Sequence, residues 1–95
     1  MAYYVYILAS RPRGAIYVGA TNDLRNRVEQ HQAGAVPGHT KRYAIHTRVW
    51  FEADETLEAS LTRERRIKRW RRAWKDELVA ARNPEWRDIA DQIPY

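Results

Sequence analysis

Few side chains in this sequence are suited to chemistry, and they fall in three places. The stretch GAIYVGATNDLRNRVEQH, Gly14 to His31, holds Tyr17, Arg27 and His31. A second tyrosine, Tyr6, lies in YYVYIL, residues 3–8. A lone acid, Glu64, stands in the basic run RERRIKRWRRAWK, residues 63–75. Arg27 and His31 are four residues apart, which on a helix is one turn along the same side. With Leu24 as the zero of a helical wheel, Leu24 and Val28 face inward, and Arg27 and His31 flank that stripe. Arg25 turns further toward water. An arginine beside an apolar stripe either snorkels over it or has an anionic partner. A half-buried histidine has the same two readings.

Glu64 also has two readings. It forms an ordinary i,i+4 pair with Lys68, worth a few tenths of a kcal/mol. Or it is a carboxylate aimed inward amid positive charge, as a single-metal site needs. Mg²⁺ keeps several waters and takes one or two protein carboxylates, with phosphate filling the rest. On a wheel starting at Leu57, the apolar arc runs through Leu61, Ile67, Trp70 and Trp74, and Glu64 falls inside it. Lys68 and Arg71 fall inside it as well.

These side chains need elements to position them. YYVYIL is aromatic and β-branched, the composition of a strand. SRPRG, residues 10–14, carries turn residues. AIYVG, residues 15–19, is a second strand, and the two make a hairpin. With the turn centred between Arg11 and Pro12, Tyr6 opposes Tyr17, Tyr4 opposes Gly19 and Leu8 opposes Ala15. Opposed residues share a face, so the two phenols lie side by side, as a site or as a stabilising aromatic pair. Asn22 or Asp23 caps a helix running to about Ala33, with Gly34 as its stop. Residues 34–43 form a loop, and HTRVWFEA, residues 46–53, is a third strand. From about Thr56 the chain is helical to Ala73 or beyond, with a further piece to Arg82. Asn83-Pro84 breaks it, and EWRDIADQ forms a last short helix. The order β-β-α-β-α-α predicts an α/β fold of the α+β kind, a small three-stranded antiparallel sheet flanked by helices.

Composition narrows the function. The chain has 95 residues, the size of one domain spanning 1–95. It has no cysteine, so disulfides and thiolate metal sites are excluded. No apolar run approaches the roughly 20 residues that span a bilayer, and MAYYVYILAS lacks the marks of a signal peptide. A soluble cytoplasmic domain is expected. Net charge is +5, but residues 63–75 hold eight bases and one acid, a local +7 that leaves the rest at −2. Such concentration points to a phosphate-bearing partner, nucleic acid above all. Arg65, Arg66, Lys68, Arg69 and Arg72 are the candidate contacts. Lys41 and Arg42 in the basic-aromatic loop HTKRY, residues 39–43, join them. The three histidines lack zinc spacing. Neither a phosphate-binding glycine loop nor a nucleophilic serine motif is present.

The ordered set YVY (4–6), YVG (17–19), Arg27 and His31 in TNDLRNRVEQH, and Glu64 in LTRERRIKRW resembles the GIY-YIG nuclease family. It is most similar to the small stand-alone bacterial members, and the likeness extends to NPEW, residues 83–86. The first motif, Tyr4-Val5-Tyr6, departs from the family pattern in lacking a glycine. The resemblance implies metal-dependent hydrolysis of phosphodiester bonds on a small three-stranded sheet. It makes Tyr6, Tyr17, Arg27, His31 and Glu64 the catalytic set, with Glu64 binding Mg²⁺ or Mn²⁺. Gly19 lets a substrate backbone come close, and Asn83 matches a later asparagine that supports the site. Tyr17 is then the general base, although a phenol is a poor base at neutral pH unless cations stabilise its phenolate. Arg27 forks onto the phosphate, Tyr6 orients the water or Tyr17, and His31 shares in proton transfer. The expected activity is an endonuclease of low sequence specificity, acting on DNA in preference to RNA. The alternatives are a nucleic-acid-binding module that does not cut, and a basic structural protein whose tryptophans only build a core.

Overall fold

A computed structural model describes residues 3–24, 45–89 and 92. Three strands and two helices follow in the order β-β-β-α-α: β1 (Tyr3–Ala9), β2 (Ile16–Thr21), β3 (Thr47–Asp54), α1 (Leu57–Arg69) and α2 (Arg72–Arg82). Both sheet pairings are antiparallel, and β1 is the centre of the order β2-β1-β3. The expected sheet is therefore present. The helix expected from Asn22 or Asp23 to Ala33 lies, beyond Leu24, outside the described residues.

The hairpin register differs from expectation by two. Tyr6 opposes Gly19, Leu8 opposes Tyr17, and Tyr4 opposes Thr21. The turn is centred between Pro12 and Arg13 and closed by the Gly14 amide donating to the Arg11 carbonyl at 2.9 Å. The ring of Pro12 presets φ for the first central position of a turn and is disfavoured at the second. Arg13 takes the second position with φ 58°. A slip of two preserves side-chain parity, so Tyr6 and Tyr17 still share a face.

Parity divides the core in two. Val5, Ile7 and Ala9 of β1 join Val18, Val49, Trp50, Ile67, Val79 and Trp86 on the helical side. Tyr6 and Leu8 join Leu24 and Ile45 on the other side, with Tyr4, Ala15, Tyr17 and Phe51 packed around them. Val49 and Trp50 enter the same cluster although they are adjacent. The β1–β3 register shifts between Ile7 and Leu8, leaving Val49 as an extra residue in β3. Such a bulge turns two neighbouring side chains onto one face.

α1 is capped as its sequence suggests, the Thr56 hydroxyl accepting from the Ala59 amide at 3.1 Å. It does not continue to Ala73. Trp70 and Arg71 are extended, with ψ 148° and 157°, and α2 restarts at Arg72. The break resets the helical phase. Trp74, expected in the apolar arc, is 48% exposed, and Leu57 is 53% exposed. Nothing in IKRWRRAWK breaks a helix by itself, but Arg72 donates to the carbonyl of Gly14 in the hairpin turn. That contact ties the start of α2 to the far end of the sheet.

The expected last helix is absent among residues 85–89. Asn83 prevents it. The side-chain amide of Asn83 donates to the carbonyls of Val49 (3.1 Å) and Arg87 (2.8 Å), while its oxygen accepts from the Arg87 amide (3.0 Å). The chain then runs along β3, where the Ile89 amide donates to the Arg48 carbonyl at 2.8 Å and Arg48 grips Asp88 with two nitrogens. Arg82 donates to the Phe51 carbonyl at 2.8 Å. No helix among the described residues is long and apolar enough to cross a membrane.

Asn83 is buried and sits where α2, β3 and the final segment meet. Removing its amide strands polar groups in the interior, each costing about 1–3 kcal/mol. Asn83→Ala is therefore expected to lower the unfolding free energy by about 3 kcal/mol, read as a lower urea midpoint at unchanged slope. A variant that unfolds with the parent's midpoint would show the latch to be dispensable.

Candidate functional site

The strand face opposite the helices carries the two tyrosines. Tyr6 is central and nearly covered, at 2% exposure, while Tyr17 on the edge strand is half-buried. Their ring centroids are 6.2 Å apart with planes tilted by 41°. They are diagonal neighbours, since Tyr6 lies opposite Gly19 and Tyr17 opposite Leu8. Phe51 of β3 opposes Tyr6 on its other side and meets the ring of Tyr4 edge-on at 6.3 Å. The phenols thus stand on an aromatic floor. The part played by Phe51 was legible only through the register of β3, which parity within one strand does not give.

Gly19 makes this arrangement possible. A Cβ built on it would lie 2.5 Å from the Tyr6 hydroxyl oxygen, 2.6 Å from the Tyr6 Cζ and 2.9 Å from Cε1 of Tyr17. Real Cβ atoms do not approach that closely. The space beside Gly19 is filled by the Tyr6 ring, where the sequence reading expected an approaching substrate backbone. The glycine lets the central phenol lie flat across the edge strand and come alongside Tyr17.

Glu64 sits on the helical side. Ser60 and Ile67 of α1 are buried against the sheet. Arg63 is on one flank, its Nε donating to Glu52 of β3 at 3.0 Å. Glu64 follows about 100° further round the helix. It is therefore turned to the opposite flank, toward β2, the edge strand that carries Tyr17. Its side chain is only 18% exposed, and one carboxylate oxygen accepts from the Lys68 ammonium at 2.9 Å. The i,i+4 pair is thus formed. It is a single acidic group: among the described residues no three histidine, cysteine, aspartate or glutamate side chains gather as a metal cluster.

The other expected residues divide. Arg27, His31, Lys41 and Arg42 lie outside the described residues. Leu24 and Ile45, which flank that stretch, are both buried in the Tyr6 cluster. Arg65, Arg66 and Arg69 are exposed on α1, and Lys68 is exposed beside Glu64. Arg72 is engaged within the fold, bonding Asp76 at 2.7 Å and the Gly14 carbonyl. Asn83 has both amide donors and its oxygen engaged in the latch described above.

Comparison with known proteins follows the same lines. The family model described as the GIY-YIG catalytic domain matches residues 2–77. A UPF0213 protein of Haloquadratum walsbyi is 36% identical over 77 residues, covering 81% of this chain and 85% of that protein. A UPF0213 protein of Staphylococcus aureus is 35% identical over 82 residues, covering 85% and 98%. The solution NMR structure of a UPF0213 protein from Bacillus halodurans aligns over 100% of both chains with a TM-score of 0.58 and 25% identity.

The packing of Tyr6 on Gly19 predicts a specific coupling. Gly19→Ala should lower stability by about 1–3 kcal/mol through overpacking. In a Tyr6→Ala background the same change should cost little, because the obstructing ring is gone. Urea titrations of the four proteins measure this coupling. Purely additive costs would mean that the glycine answers some other constraint.

Proposed function

Because this chain belongs to the GIY-YIG catalytic domain family, a nuclease family, we propose that it is a divalent-metal-dependent endonuclease acting on nucleic acid, DNA in preference to RNA, with low sequence specificity. The observation that carries this reading is the Tyr6–Tyr17 pair held over Gly19, within a chain whose basic charge is concentrated around one inward-leaning carboxylate, Glu64.

Hydrolysis of a phosphodiester needs an activated water, neutralisation of charge on phosphorus and a stabilised leaving oxygen. Tyr17 is the partly accessible phenol, so its Oη is assigned to the attacking water: it accepts the water's proton as it passes its own phenol proton to His31. Tyr6 is too covered to meet solvent and is assigned to holding Tyr17 in place. Arg27 clamps non-bridging phosphate oxygens. His31 takes part in moving the proton onward. Water oxygen bonds to phosphorus as the bond to the 3′-oxygen breaks.

The Glu64 carboxylate suits a hard cation. It offers a hard oxygen donor and is largely shielded; the Lys68 ammonium that pairs with it at 2.9 Å would have to give way to a bound cation. When bound there, Mg²⁺ or Mn²⁺ supplies Lewis-acid neutralisation of the charge developing on phosphate and leaving group. Exposed Arg65, Arg66 and Arg69, together with Lys68, Lys41 and Arg42, supply the sequence-independent grip on phosphates.

The purified protein is expected to nick plasmid DNA in Mg²⁺ or Mn²⁺ and to stop when the metal is chelated. Tyr17→Phe and Glu64→Ala should each reduce cleavage by about 10²–10⁴-fold while leaving DNA binding nearly unchanged. Losing the Glu64–Lys68 pair alone costs only a few tenths of a kcal/mol of stability, so unfolding cannot account for that loss. Cleavage by both variants at the parent's rate would overturn the assignment. Salt-sensitive binding without any metal-dependent product would favour the alternative, a module that grips nucleic acid without cutting.

A further inference from the structure

The corner between α1 and α2 carries an aromatic and cationic cluster that the hydrolytic reading does not use. Trp70 and Trp74 meet edge to face, their centroids 6.2 Å apart and planes at 78°. The Arg63 guanidinium lies 5.3 Å from the Trp70 centroid, and that of Arg71 lies 4.9 Å from the Trp74 centroid. Trp70 packs against the helical core, while Trp74 is nearly half exposed. An open cleft of about 380 Å³ beside them is lined by Trp70, Trp74, Glu77 and Leu78.

The chemistry of this cleft selects its occupant. Two fixed indole rings and a leucine suit a flat ring with apolar faces. Glu77 in the wall disfavours a phosphate inside the cleft. Arg71, whose guanidinium lies over Trp74, and Arg69, the residue before Trp70, are exposed and favour a polyanion passing beside it. A flat ring carried on a polyanion is a nucleobase. Bases within a duplex have both faces stacked, so only an unpaired base has a face to offer. Arginine held against tryptophan keeps the ring oriented and adds cation–π attraction.

We propose that the Trp70–Trp74 corner is a stacking platform for an unpaired nucleotide, so that the chain acts on nucleic acid with single-stranded character. This substrate class rests on the nucleic-acid reading above. The platform contacts the substrate away from the tyrosine face and is independent of the metal.

The test measures binding of the full-length chain in chelator-containing, low-salt buffer. Its probes are short labelled single-stranded DNA, the same sequence as RNA, and the blunt DNA duplex. The parent should bind single strands more tightly than duplex. Trp74→Ala should weaken single-strand binding by about 5- to 100-fold and change duplex binding less than about twofold, while Trp74→Phe keeps most of the affinity. The DNA and RNA arms separate the two sources of the base. Unchanged single-strand affinity in Trp74→Ala, equal loss on both forms, or no single-strand binding by the parent would overturn the proposal. So would sedimentation showing that Trp74→Ala converts a dimer to a monomer with single-strand affinity intact, which makes the corner a contact between copies. Metal-dependent cleavage by the parent is assayed alongside. Cleavage with no effect of Trp74 removes the platform and leaves the nuclease reading. A Trp74 effect with no cleavage does the reverse.

Discussion

The structure depends on one strand being apolar on both faces. β1 is hydrogen-bonded on each side by a neighbouring strand, and Val5 to Ala9 are all buried. Each fully buried aliphatic side chain there contributes about 1.5–3 kcal/mol. Alternation divides the strand's labour: Val5, Ile7 and Ala9 anchor the helices, while Tyr6 and Leu8 anchor the tyrosine face. A small domain has little room for a core. Here a single seven-residue strand belongs to both halves of it. The tyrosine of the candidate site is therefore also a core residue, fixed by the packing that holds the fold.

The residues proposed for the hydrolytic site are placed by that same double duty. The phenols lie on one side of the sheet and Glu64 on the helix behind it, turned toward the edge strand. β2 is the element between them. Its position is set by the β1 ladder, by the turn at Pro12 and Arg13, and by the bond from Arg72 to Gly14. Arg72, which reads in sequence as one more phosphate contact, is in the fold a brace between the second helix and the hairpin. A basic residue in a basic run carries no mark of which role it has; only a carbonyl brought in from 58 residues away decides it.

Much of this was legible in the sequence. Strand parity is robust to error, so Tyr6 and Tyr17 are read onto one face even with the register wrong by two. The correct register was also within reach, because a turn centred on Arg11 and Pro12 puts proline where it is disfavoured. Val49-Trp50-Phe51, three apolar residues in a row, breaks strict alternation and marks the bulge. The end of α1 at Trp70 was not legible, since local propensity favours continuation and a distant contact overrides it. Without that break, Trp74 is misread as core. The Glu64–Lys68 pair was foreseen as one of two readings, and it is formed. The family resemblance read from the ordered motifs is matched by a family model across most of the chain.

The C-terminal residues have a consequence beyond holding the fold. β3 is an eight-residue strand at the border of the sheet, the kind of border along which copies of a protein zip together. Its carbonyls at Arg48, Val49 and Phe51 already accept from Ile89, Asn83 and Arg82. These contacts cover part of that border and leave less of it open to strand addition by another copy of the chain.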